Sequence, residues 1–97
     1  MGADIEELKQ KIAPVAKQYG VEAVYLFGSF ARGDAHADSD YDFYIEKGKL
    51  HSLFQLAGLR LDLVDALKNN VDVITNGINN KRLLMSIERD RVLVYGS

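Results

Sequence analysis

Strand-like and helix-like stretches alternate along this chain, and nearly every boundary carries a residue that stops one or starts the other. Asp4 with Glu7 three positions on is a helix-starting pair, and Ile5, Leu8, Ile12, Val15 and Tyr19 follow at helical spacing. Gly20 ends that helix, and Pro14 is expected to kink or divide it. Val21 to Phe27 and Tyr41 to Glu46 read as strands, the second closed by Lys47-Gly48-Lys49. Leu50 to Lys68 is the longest helical candidate, stopped by Asn69-Asn70, with Gly58 a mild cost inside it. Val71 to Thr75 is a short strand before the turn signal Asn76-Gly77. A final helix is expected over Asn79 to Arg89 and a final strand over Val92 to Tyr95. This alternation predicts an α/β sandwich, with helices laid against a small sheet.

With 97 residues the chain has room for one hydrophobic core and not two, so residues 1–97 are expected to form a single domain. Hydrophobic residues at 47% and charged residues at 27% give the balance of an ordinary soluble globular protein rather than a disordered one. There is no cysteine, which excludes disulfides and thiolate chemistry and fits a reducing cytosol. No apolar run approaches the ~18 residues of a membrane span. The first ten residues carry acids where a signal peptide needs a basic start, so a cytoplasmic location is expected. Twelve basic residues against 14 acidic ones give a net charge of −2. The isoelectric point near 5.6 lacks the basic footprint of a domain built to grip nucleic acid.

The long helical segment is apolar on more than one side. At about 100° per residue, Leu50, Leu53, Phe54, Ala57, Leu61 and Val64 make one stripe. Leu56, Leu59, Leu63 and Leu67 widen it, leaving His51, Gln55, Asp62 and Asp65 as a narrow polar strip. Either the helix is sunk between the sheet and a neighbouring element, or its Leu56/Leu59/Leu63 flank meets another chain.

The chemistry concentrates between Gly28 and Asp42. Asp38, Asp40 and Asp42 first suggest a calcium loop, but its sixth and twelfth positions would be Phe43 and Lys49 instead of Gly and Glu. A P-loop fails as well, because no Lys-Ser or Lys-Thr follows the glycines at the required spacing. What remains is a strand, a Gly28-Ser29 turn into a helix start, and two acids entering a strand. Backbone at Gly28 can approach a bulky anion, and exposed N–H groups at a helix start favour phosphate. Asp40 and Asp42 point to one face of an extended chain with Tyr41 turned away, and two adjacent carboxylates make sense around a divalent cation. Mg²⁺ favours one or two carboxylates plus substrate phosphates. Asp72, an acid within the apolar run Val71-Asp72-Val73-Ile74, is a third candidate. If its strand neighbours that of Asp42, the three acids can hold two cations for in-line phosphoryl transfer.

Gly28-Ser29, ten intervening residues and Asp40-Tyr41-Asp42 resemble the signature of the nucleotidyltransferase superfamily that includes DNA polymerase beta. The version Gly28-Ser29-Phe30-Ala31-Arg32-Gly33, leading to Ser39-Asp40-Tyr41-Asp42-Phe43, resembles its minimal nucleotidyltransferase (MNT) branch. The likeness extends to Val71-Asp72-Val73 and to Ile87-Glu88-Arg89-Asp90-Arg91-Val92. It implies a palm-like α+β fold, a small mixed sheet with helices packed against it. It also implies that Gly28 and Ser29 contact the phosphates of ATP, and that Asp40, Asp42 and Asp72 are the catalytic acids binding two Mg²⁺. By the same resemblance the partner is a HEPN-domain toxin, silenced by transfer of AMP from ATP to a tyrosine hydroxyl. The Leu56/Leu59/Leu63 flank is the expected surface for it, and self-association of the chain stays open.

Other residues have simpler readings. Arg32 is weighed equally as a triphosphate ligand and as a surface arginine on the first helical turn. His36 is expected in solvent, and Lys81, Arg82, Arg89 and Arg91 on a solvated helix face rather than lining a substrate cleft. Tyr25, Tyr41 and Phe43 are expected to pack, while Tyr44, on the strand face of Asp42, is a candidate for the base. Two alternative functions stand beside AMP transfer: a non-catalytic module that neutralises a partner by occlusion, and a subunit of a small-molecule, antibiotic-type nucleotidyltransferase. The latter usually needs a further domain.

Overall fold

The computed structural model describes residues 4–75 and 80–96. They form helices α1 (Ile5–Tyr19), α2 (Ser29–Arg32), α3 (Leu53–Leu67) and α4 (Lys81–Asp90), and strands β1 (Ala23–Phe27), β2 (Tyr41–Glu46), β3 (Val71–Thr75) and β4 (Val92–Tyr95). Local chemistry sets most boundaries. The Asp4 side chain caps α1 by accepting from the Glu7 N–H, and Gly20 closes it in the left-handed conformation. Ser52 and Gln55 form a reciprocal capping box that starts α3 three residues later than the apolar pattern suggests. Asn80 caps α4 through the Leu83 N–H. Pro14 does not divide α1: it sits on the exposed side, where the carbonyl it leaves unbonded is open to water. The Asn76-Gly77 turn signal and Asn79 lie outside the described residues.

The sheet has the order β3-β2-β1-β4, with β1 antiparallel to both neighbours and β2 parallel to β3. It is a mixed sheet with helices against it, an α+β arrangement. Helices α1 and α3 cover one face. Leu8, Ile12 and Ala16 of α1 and Leu59, Leu63 and Leu67 of α3 close over Val24, Leu26, Phe43, Ile45, Val71 and Val94. Alternation along the strands sends Phe27, Asp42 and Asp72 to the opposite face, and the register sets them side by side in one row. The next row on that face is Tyr25, Tyr44 and Ile74. Helix α4 packs on β1.

The orientation of α3 overturns the sequence reading. Leu59 and Leu63 are fully buried, so the Leu56/Leu59/Leu63 flank faces α1 and the sheet and cannot be a docking surface. Of the other stripe, Leu53 at 83%, Phe54 at 91% and Leu61 at 60% are exposed, while Leu50 is buried and Val64 packs against the core. Rotation is set by a fit between helices. A Cβ at Gly58 would lie 2.7 Å from the Tyr19 hydroxyl, so Gly58 lets α1 approach. That hydroxyl donates to Asp62 at 2.8 Å, drawing a residue of the presumed polar strip into the interface.

These contacts predict a coupled response. Gly58→Ala lowers stability by about 1 kcal/mol despite alanine's better helix propensity, because the tethered hydroxyl must move. In a Tyr19→Phe background the same substitution becomes neutral or stabilising by up to about 1 kcal/mol. Urea unfolding of the four proteins of the cycle measures the coupling.

Candidate active site

The turn after β1 is shaped by a conformation that only glycine tolerates. Gly28 has φ 78° and ψ −154°, a region costing other residues roughly 1–3 kcal/mol. Its hydrogens also face the Asp42 carboxylate so closely that a Cβ would collide with it. Glycine therefore brings the β1–α2 turn directly against the acid on β2. The turn is braced from below: Phe30 of α2 stacks on Tyr41 at 4.1 Å between ring centroids, and Tyr41 stacks on Phe43 at 5.9 Å. Tyr41 and Phe43 thus have the packing role expected of them.

The entry to β2 is fixed to β3. The Tyr41 N–H donates to the Asn70 carbonyl at 3.1 Å, and the Asn69 side-chain amide donates to the Ser39 carbonyl at 3.3 Å. The Asn69-Asn70 pair that stops α3 therefore also positions the Asp40-Tyr41-Asp42 segment. Parallel register then places Asp72 beside Asp42, as a shared row of acids requires.

Asp42 and Asp72 line a cleft of about 670 Å³ together with Gly28, Ser29, Arg32 and Arg60. Asp40 is half-buried and does not line it, although its charge reaches Asp42. Burial holds the Asp42 carboxyl above its ordinary value; the charges of Asp72 and then Asp40 push it further in the same direction, and Arg32 partly opposes them. Among the described residues no three acids or histidines converge closely enough to form a metal shell unaided. The donors nevertheless suit a hard divalent cation. They are carboxylate oxygens only, they repel one another, and Mg²⁺ takes few protein ligands while keeping water and phosphate in its shell.

Arg32 is tied down within the cleft. Its Nη1 donates to Asp90 at 2.9 Å and its Nε to Asp34 at 3.2 Å. Asp90, with only 5% of its side chain exposed, is held below the ordinary carboxylate range by hydrogen bonds from Arg89 and Arg32. The pair fastens the end of α4 to α2. His36 is exposed, as are Lys81, Arg82, Arg89 and Arg91. Tyr44 packs against Tyr25 with ring centroids 6.2 Å apart, and the Arg91 guanidinium lies 5.1 Å over the Tyr25 ring.

Two polar contributors are not anticipated from sequence. Ser86 of α4 reaches the cleft wall, and Arg60 reaches it from α3. Arg60 does carry a signal, being the one basic residue between Leu53 and Leu67.

Comparison with known proteins gives a consistent result. The profile "Polymerase beta, Nucleotidyltransferase" matches residues 10–97. A Methanocaldococcus jannaschii chain assigned as a protein adenylyltransferase is 39% identical over 72 residues, covering 74% of this chain and 77% of that relative. A chain in a crystal structure of a toxin–antitoxin with AMP-PNP superposes with a TM-score of 0.77 at 22% identity, covering 92% of this chain and 73% of the other. A chain from a complex of a tri-AMPylated Shewanella oneidensis HEPN toxin with an MNT antitoxin superposes with a TM-score of 0.72 at 18% identity, covering 96% and 73%. These two structures share the fold.

Two outcomes are expected. Gly28→Ala costs about 2 kcal/mol or more, from backbone strain plus the collision with Asp42, and Asp42→Ala in the same chain recovers the collision part. The second concerns pH. The Asp42 pKa is raised above 3.8 in the folded state, so its stabilising contribution is complete below that value and is lost as pH rises through the folded one. In metal-free buffer Asp42→Asn therefore raises the melting temperature by a few degrees at pH 7, and the gain vanishes in acid. Asp72→Asn lowers the Asp42 midpoint, as carboxyl ¹³C titration would read.

Proposed function

The chain belongs to the polymerase beta nucleotidyltransferase family, and on that premise we propose that it transfers AMP from ATP to a hydroxyl of a partner protein, a HEPN-domain toxin. The observation that carries this reading is the single row of Asp42 and Asp72 beside the Gly28 turn, opening into one cleft. The M. jannaschii relative's assignment and the AMPylated toxin complex support the choice of AMP and of a protein acceptor.

In this reading the Gly28-Ser29 turn and the Ser29 hydroxyl bind the β- and γ-phosphates. Arg32, held by Asp90, adds fixed positive potential at that end of the cleft. Asp40, Asp42 and Asp72 would hold two Mg²⁺, which supply charge neutralisation for the triphosphate and acidify the acceptor hydroxyl. Asp72, exposed at the cleft, receives the proton as the acceptor oxygen attacks the α-phosphorus. A bond from that oxygen to phosphorus forms, the bond from the α-phosphorus to the bridging oxygen breaks, and pyrophosphate leaves. Most of the rate comes from positioning, which the Phe30/Tyr41 stack and the Asn70 hydrogen bond enforce.

The test is incorporation of α-labelled ATP into a co-expressed HEPN-domain partner, with mass spectrometry to locate AMP on tyrosine. Asp40→Asn and Asp42→Asn each reduce labelling by about two orders of magnitude or more while the domain stays folded. Undiminished labelling in both variants overturns the assignment; neutralisation of the toxin by both, without labelling, replaces it with occlusion.

A further inference from the structure

Arg60 is placed to do something the proposed nucleotide chemistry does not use. Its Nε donates to the Val71 carbonyl at 2.8 Å. The Asn70 carbonyl is turned toward β2, where it bonds to the Tyr41 N–H. Alternation therefore points the Val71 carbonyl outward, off the open edge of β3. Arg60, though carried by α3 on the covered face, thus brings its guanidinium round the sheet edge and into the wall of the cleft that Asp72 also lines. Among the described residues neither of its Nη groups has a hydrogen-bond or ion-pair partner. Arg32, the cleft's other guanidinium, is committed to Asp34 and Asp90.

Position decides what this fork can recognise. Gly28 follows β1, and β1 and β3 are separated by β2, about 10 Å at ordinary strand spacing. A triphosphate seated on Gly28 and Ser29 lies on one side of the Asp42/Asp72 row, and Arg60 lies on the other, the side such a triphosphate leaves open to an acceptor. We infer that Arg60 is an anion-binding residue of the acceptor site, and that the acceptor hydroxyl is accompanied by an oxyanion, a carboxylate or a phosphate, within reach of a guanidinium fork. An anchored Nε with two free Nη groups presents the planar pair of donors that binds such oxyanions side by side. The net charge of the acid row otherwise repels an anionic acceptor, and Arg60 offsets that repulsion at the one edge where the acceptor arrives.

This inference rests on the proposed binding of ATP at Gly28-Ser29, so the experiment separates the two. Binding is measured by calorimetry on the full chain, first of AMP-PNP with Mg²⁺, then of three small probes at saturating AMP-PNP. The probes are 4-hydroxyphenyl phosphate, 4-hydroxyphenylacetate and the neutral tyrosol. At least one anion is expected to bind about tenfold more tightly than tyrosol, and the better of the two identifies phosphate or carboxylate as the source. Arg60→Gln, which keeps a donor for the Val71 carbonyl, removes that preference while AMP-PNP affinity stays within about twofold; Arg60→Lys restores part of it. Equal loss of AMP-PNP and anion affinity in Arg60→Gln would assign the residue to the nucleotide and overturn the inference. A lowered melting temperature with unchanged anion preference would reduce Arg60 to a tie for β3. If AMP-PNP binds the wild-type chain and neither anion outbinds tyrosol, this inference falls alone. If AMP-PNP does not bind, the nucleotide reading falls with it.

Discussion

The approach of Gly28 to the Asp42 carboxylate is the contact on which the rest of the cleft depends. It requires a residue without a side chain, in a backbone conformation other residues avoid. It also requires β1 and β2 to be antiparallel neighbours with Phe27 opposite Asp42. Once those hold, Ser29 and Arg32 have nowhere to be but at the cleft wall, and α2 need supply only one turn. The Phe30/Tyr41/Phe43 stack beneath the turn keeps the approach from relaxing.

The two faces of the sheet divide the physical work. One face, under α1 and α3, is closed by aliphatic residues and Phe43 and supplies the burial that holds the fold. The other gathers acids at cost: the Asp42 carboxyl is held above its ordinary value by burial and by its acidic neighbours. A chain optimised only for stability would not keep this row. Proteins retain such arrangements where a ligand of opposite charge is bound, and the stability lost there is recovered elsewhere.

Legibility from sequence follows how local each determinant is. Tyr41–Glu46 and Val71–Thr75 can be read residue for residue, because β-branched and aromatic runs there are bounded by turn-forming or charged residues. The Gly28-Ser29 and Asp40-Tyr41-Asp42 spacing is likewise local, and the structure brings Gly28, Ser29, Arg32, Asp42 and Asp72 to one cleft while leaving Asp40 at its margin. The rotation of α3 is not local. Its leucines offer two competing stripes, and the choice is made by Tyr19, from another helix, lying against Gly58 and bonding to Asp62. The placement of Arg60 depends on that rotation and on β3 being an edge strand, so no periodicity within Leu53–Leu67 could reveal it.

The Arg60 tie to the Val71 carbonyl has a consequence for the sheet as a whole. An open edge strand offers its outward carbonyls and amides as a template on which a strand of another molecule can add. On β3 the Val71 carbonyl is already occupied, and the next residue presents a carboxylate to anything laid alongside. A newcomer pairing at Val71 would have to displace a guanidinium and lie beside a negative charge. The same two side chains that mark one wall of the cleft therefore discourage fibril-like growth from this edge.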